Sequence, residues 1–261
     1  MTIQEIIAKL THEGGAFPRQ AVTEAVAQRE DVTPELLRIM EEAASNMEAT
    51  ARREDYLGHI FAMYLLAQFR EKRAYQPLVN LVTAEWKYVD RVLGDVITED
   101  LGRMLASICN GDTSLICEMI ENANLNEYVR SAGLGALVVL VAQEIKTREE
   151  VLAYFQSLFH GKLEREFSIV WCSLISHCCD IHATEAAEEI ERAFAEVLVD
   201  TGYIDLRSVK RHFETGKDRA FARRAMDPQN TFVDDTAHEM AGWPCFQKPQ
   251  RPAKTSVIEQ F

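Results

Sequence analysis

Apolar residues recur along this chain with the spacing of a helix face, break at short polar stretches, and then recur. Between Tyr56 and Phe69, the residues Leu57, Ile60, Phe61, Tyr64, Leu65 and Phe69 fall on one stripe with a period near 3.6. Apolar helices of this kind are predicted at Ala21 to Gln28, Tyr56 to Phe69, Val92 to Ile108, Tyr128 to Ala142 and Phe167 to Cys179. Their first residues lie 35, 36, 36 and 39 positions apart, which is a repeat. A second, amphipathic helix follows each one: Pro34 to Ala44, Tyr75 to Ala84, Thr113 to Asn122, Arg148 to Phe159 and Ala186 to Val199.

Capping chemistry marks several starts, because a side-chain oxygen there accepts from the first unpaired backbone N–H groups. Thr33 precedes Pro34, Thr147 and Glu150 have capping-box spacing, Asp112 follows Gly111 at a turn, and Asp205 precedes a helical stretch reaching residue 225. Neither helix of a pair buries its apolar face alone, so the expected fold is all-α, an α-solenoid of HEAT-like antiparallel helix pairs. The tetratricopeptide signature does not recur at this period. One helical domain over residues 1–241 is expected, with a short helix in Thr231 to Ala241 and an extended or disordered tail over 242–261. Trp243 and Phe246 in that tail are candidates to cap the last repeat or a second copy of the chain.

Proline use strengthens the helical reading. No proline lies between Pro77 and Pro228, so nearly continuous helix is open to this stretch. A hydrophobic content of 47% against 26% charged residues supplies a sizeable core and excludes disorder for most of the chain. The N-terminus lacks the basic head and long apolar run of a secretory signal. Ala132 to Ala142, the most apolar run, is too short to span a bilayer. With six cysteines in no repeated spacing, reduced thiols in a bacterial cytoplasm are expected.

The formal charge is −13, from 28 Lys and Arg against 41 Asp and Glu. Up to residue 206 the count is 18 basic against 34 acidic, whereas residues 207–254 hold 10 against 6. Nucleic acid and anionic membrane are therefore poor partners for the repeats. The second helices carry Glu41 and Glu42, Glu118 and Glu121, Glu149 and Glu150, and Glu188 and Glu189, an expected acidic groove for a basic protein or peptide.

The blocks EDYLGHIFAMYLLAQFREKRAYQPLVNLV, LASICNGD, IENANLNEYVRSAGLGALVVL and FQSLF carry a resemblance. Over roughly Ile3 to Thr236 the chain resembles the bacterial family named domain of unknown function 1186. The resemblance implies a HEAT-like helical fold and supplies no activity. Members can carry a C-terminal SEC-C zinc segment with closely spaced cysteines; Trp243-Pro244-Cys245-Phe246 stands near that place without a second cysteine, so no such module is expected.

Two clusters have ligand chemistry. Cys178 and His182 are helical neighbours near Cys172, His177 and Cys179, and Asp235 and His238 sit within DDTAHE. Neither supplies four converging ligands, and His238 lacks the second histidine of H-E-x-x-H, so buried thiols, a helix-end histidine and N-terminal capping account for them. Gly133 and Gly135 belong to an apolar helix with no preceding strand, which points to close helix packing instead of a phosphate loop. The sequence reads as a non-catalytic protein- or peptide-binding scaffold without cofactor, a monomer or homodimer. The alternative is a metal- or thiol-dependent, lyase-like enzyme using Cys178, His182, Asp235 or His238.

Overall fold

A computed structural model describes residues 1–11, 15–53 and 55–247. Among these residues there are seventeen α-helices and no β-strand. In chain order they are α1 (Ile3–Leu10), α2 (Arg19–Ala27), α3 (Arg29–Ser45), α4 (Met47–Ala51), α5 (Gly58–Gln68) and α6 (Tyr75–Val82). Then follow α7 (Trp86–Leu93), α8 (Val96–Glu99), α9 (Leu101–Ile108), α10 (Ser114–Glu121), α11 (Glu127–Ala142) and α12 (Arg148–Ser157). The last five are α13 (Ile169–Asp180), α14 (Ala187–Ala195), α15 (Leu206–Glu214), α16 (Lys217–Ala225) and α17 (Thr236–Met240).

Helix α5 is buried from Gly58 to Ala67 and α11 along most of its length, as expected for segments apolar on every side. The helix α5 packs on α9, α9 on α11, and α11 on α13. Helix α3 packs on both α5 and α6, α6 packs on α10, and α10 on α11. The apolar helices thus lie side by side in sequence order, and the space beside α5, α9 and α11 decides what the C-terminal segment can do.

The chain departs from the sequence reading at two breaks and one helix start. The helix expected over Val92 to Ile108 is divided into α7, α8 and α9, because Gly94 caps α7 at φ +49 and turns the chain. Gly216, at φ +84, likewise ends α15 and separates it from α16. Thr33 is no cap: α3 begins at Arg29, the Thr33 hydroxyl donates to the Arg29 carbonyl at 2.7 Å, and Pro34 lies inside the helix. The Thr147–Glu150 capping box and the Asp205 cap form as their spacing predicts.

Within the segment read as an extended or disordered tail from residue 242, Trp243 and Phe246 pack on the body. Phe246 is buried against Phe17 and Phe61, and Trp243 meets Tyr64 edge-on. These rings belong to the start of the chain, so the aromatic pair covers α5 and not the last helix pair, where Trp243 and Phe246 were expected. The remainder of the expected tail lies outside the described residues.

Close approach explains Gly102 and Gly133. A Cβ on Gly102 would meet the Ala132 carbonyl oxygen at 2.9 Å, and one on Gly133 would meet Ile120 at 2.8 Å. Gly135 differs: its added Cβ would touch only His177, at 3.6 Å. Gly102→Ala is expected to destabilise the protein by about 1–3 kcal/mol through forced separation of α9 and α11. Gly135→Ala is expected to stabilise it by about 0.5–1 kcal/mol through helix propensity alone. Urea unfolding of the two variants checks the contrast.

His59 is buried in α5, with Nε2–H donating to the Val92 carbonyl at 2.9 Å and Nδ1 unpartnered. Burial pushes its imidazole down to about 4 from 6.5, against the opposing pull of the Val92 carbonyl. The folded state therefore binds this proton less well than the unfolded state. Stability should fall as pH drops from 6.5 towards 4. His59→Gln should flatten that part of the profile, measured by urea unfolding across the range.

Candidate functional site

After α16 the chain turns back and runs extended across the exposed side of the apolar helices. Four consecutive carbonyls of this strap are held by side chains of those helices or their ends. Gln143, just past α11, donates to Asn230 O at 3.1 Å, and Arg103 of α9 donates to Thr231 O at 3.0 Å and Phe232 O at 3.1 Å. Arg70, just past α5, donates to Val233 O at 2.8 Å, while Val233 N–H donates to the Ser107 hydroxyl at 3.1 Å. The Phe232 ring lies 4.3 Å from the Arg70 guanidinium carbon, and Thr236 donates its hydroxyl to Gln68 Oε1 at 2.7 Å. The four carbonyls are captured without regard to the strap's side chains, while Phe232 and Thr236 add side-chain contacts of their own.

Arg103 is the centre of the arrangement. Its side chain is 6% exposed and bonds Asp100 at 2.7 Å and Glu239 of α17 at 2.6 Å. The Tyr64 hydroxyl donates to the other oxygen of Asp100. Burial opposes the Arg103 charge, but the two carboxylates outweigh it and raise its affinity for the proton. Burial, reinforced by Asp100, holds the Tyr64 phenol well above its ordinary value.

Beyond the strap, towards α13, this side opens into two joined compartments. The smaller, about 420 Å³, is floored by Gly102 of α9, by Ser131, Ala132 and Gly135 of α11, and by Ser173 and His177 of α13. Glu99 of α8 and Tyr128, Tyr203, Asp227, Gln229 and Asn230 form its walls. The larger, about 1010 Å³, lies between α13 and helices α15 and α16, with Arg211 and Arg219 on its wall; Asp180, Asp227 and Asn230 are common to both. His177 Nδ1 lies 2.9 Å from Asp180 Oδ2.

The carboxylates expected to line a groove are elsewhere. Glu41 and Glu42 are exposed on α3, and Glu42 pairs with Arg38 at 3.2 Å. On α10 Glu118 is exposed, while Glu121 pairs with Lys162 at 2.8 Å. Glu149 and Glu150 open α12, Glu150 in its capping box, and Glu188 and Glu189 open α14, Glu189 facing His160 at 3.3 Å. None of the eight lines the joined compartments.

Cys178 and His182 lie at the end of α13. Burial pushes the Cys178 thiol well above its ordinary value, and His182 Nε2 bonds the Phe213 carbonyl at 3.1 Å. Asp235 caps α17 by accepting from the Ala237 and His238 N–H groups, and the His238 side chain is exposed. Among the described residues no three His, Cys, Asp or Glu side chains come together as a group able to hold a metal ion.

The family model described as protein of unknown function DUF1186 matches residues 1–247. The chain belongs to this family. The DUF1186 match takes in the strap and its docking residues as well as the helices beneath. An uncharacterized protein of Chlamydia trachomatis serovar D is 35% identical over 243 residues, spanning 93% of this chain and 96% of that protein. One from Chlamydia muridarum is also 35% identical, over 93% of this chain and 97% of its own. No solved structure matches the chain.

Sequence reasoning placed Tyr64 only on an apolar stripe and passed over Asp100, Arg103 and Gln143. The signal for Arg103 was present: a cation inside the apolar helix LGRMLASI must find anionic partners. Arg130 and Arg148 repeat the theme, Arg130 bonding Glu164 at 2.5 and 2.7 Å and Arg148 bonding Glu185 at 2.7 Å. Arg103→Met should cost about 3–5 kcal/mol, because Asp100 and Glu239 are left uncompensated. Adding Asp100→Asn and Glu239→Gln to that variant should recover part of the loss in the same unfolding measurement.

Proposed function

We propose that this protein is a non-catalytic scaffold of HEAT-like helix pairs in the bacterial cytoplasm, binding a protein or peptide partner. The observation carrying this reading is the strap: the side formed by α5, α9 and α11 already holds an extended segment by its backbone. Side-by-side packing of the apolar helices is an arrangement from which helical-repeat proteins build extended binding surfaces. The joined compartments continue that surface past the strap. No described helix is long and apolar enough to cross a membrane, which accords with the proposed location.

Thiol chemistry gains no support from the buried cysteines. A nucleophilic or metal-binding cysteine acts as thiolate, and burial pushes Cys179 up to about 12 and Cys178 in the same direction.

Panning a library of linear peptides against the immobilised full chain tests the scaffold reading. Enriched sequences are expected to bind the protein in solution with micromolar dissociation constants by fluorescence anisotropy. Failure of every sequence to enrich above bare matrix would remove the reading.

A further inference from the structure

The strap covers the apolar-helix side only from α5 to the end of α11. At Asn230 it becomes a wall of the smaller compartment, so the surface that binds a peptide in cis runs on without interruption into an open cleft. The charge of that cleft is one-sided. Arg103 is its one Lys or Arg among the described lining residues, and Asp100 and Glu239 together exceed its charge. Glu99 is exposed and forms no ion pair among the described residues, and Asp180 and Asp227 add two further carboxylates. Tyr128 and Tyr203 stand at the wall 42% and 57% exposed, and the Ser131 hydroxyl oxygen is shielded from solvent without a hydrogen-bond partner. Carboxylates beside exposed aromatic rings suit an ammonium or guanidinium group, which gains from both the charge and the ring faces. In the larger compartment Arg211 and Arg219 offset Asp180 and Asp227, so the uncompensated negative charge lies on the Glu99 side and a cation is directed there.

We propose that the smaller compartment receives a lysine or arginine side chain of an extended partner segment lying as a continuation of the strap. This rests on the scaffold reading and adds the site and the chemistry of the ligand. It also moves the basic partner from the outer carboxylates of α3, α10, α12 and α14 to the cleft over α9, α11 and α13.

The experiment compares two labelled peptides, Gly-Ser-Gly-Lys-Arg-Gly-Ser-Gly and the same sequence with Asp-Glu in place of Lys-Arg, by fluorescence anisotropy on the full chain. The basic peptide is expected to bind and the acidic one not. Glu99→Lys should weaken the basic peptide by about tenfold, the effect of one reversed charge near 1.4 kcal/mol. Tyr128→Ala should weaken it about threefold, and the paired Glu118→Lys and Glu121→Lys change on α10 should leave it unaltered. Circular dichroism confirms that each variant folds, since Glu99, Tyr128 and Glu118 have exposed side chains. Sensitivity to the α10 pair without sensitivity to Glu99→Lys overturns the site but leaves the scaffold. Preference for the acidic peptide overturns the chemistry. Absence of binding by either peptide overturns the proposal, and the library result decides whether the scaffold reading falls with it.

Discussion

The packing of the C-terminal segment depends on one buried cation. Arg103 occupies a core position on α9, where an unpaired guanidinium would cost several kcal/mol, and Asp100 from the preceding turn supplies one partner. The remaining donors of the fork reach Glu239 and the carbonyls of Thr231 and Phe232, more than 120 residues away in sequence. A cation so placed has no satisfactory alternative among its local neighbours. It therefore fixes both the course of the strap and the face that the strap covers. Tyr64, bonded to Asp100 from α5 and touched by Trp243, brings the third element into the same unit.

The consequences for surface chemistry follow from that closure. With α5 and part of α9 covered, the open part of the apolar-helix side lies over α11 and α13. It is paved by small side chains because backbones approach closely at Gly102. The carboxylates of the second helices face a different fate. Glu42 and Glu121 pair with Arg38 and Lys162, and Glu150 caps its own helix, so several of the charges counted in the sequence are locally matched.

Much of the helical content was legible. The helical spacing of α5, the capping box at Thr147, the Asp205 cap and the continuous apolar run of α11 are local signals, and each gave helix or cap where it was read, α5 being buried beyond the stripe. Breaks were less legible. Gly94 stands in a segment whose apolar residues still keep helical spacing, and its positive φ lets α7 turn away to pack on α4. Gly133 and Gly135 look alike in sequence, yet one is pressed against Ile120 and the other opens on the cleft beside His177. The cleft was not legible, because its residues come from α8, α9, α11, α13 and the strap, and no spacing in the sequence connects them.

By itself, then, the sequence determined an all-helical chain, the caps at Thr147 and Asp205, its charge asymmetry and its family. These depend on side-chain periodicity, on capping within a few residues and on counts. Only the tertiary structure decided that Trp243 and Phe246 return to the first helices, that Arg103 binds the strap, and which carboxylates meet an open cleft. Those outcomes depend on pairing buried polar groups across long separations, where the partner is set by packing geometry and not by distance along the chain.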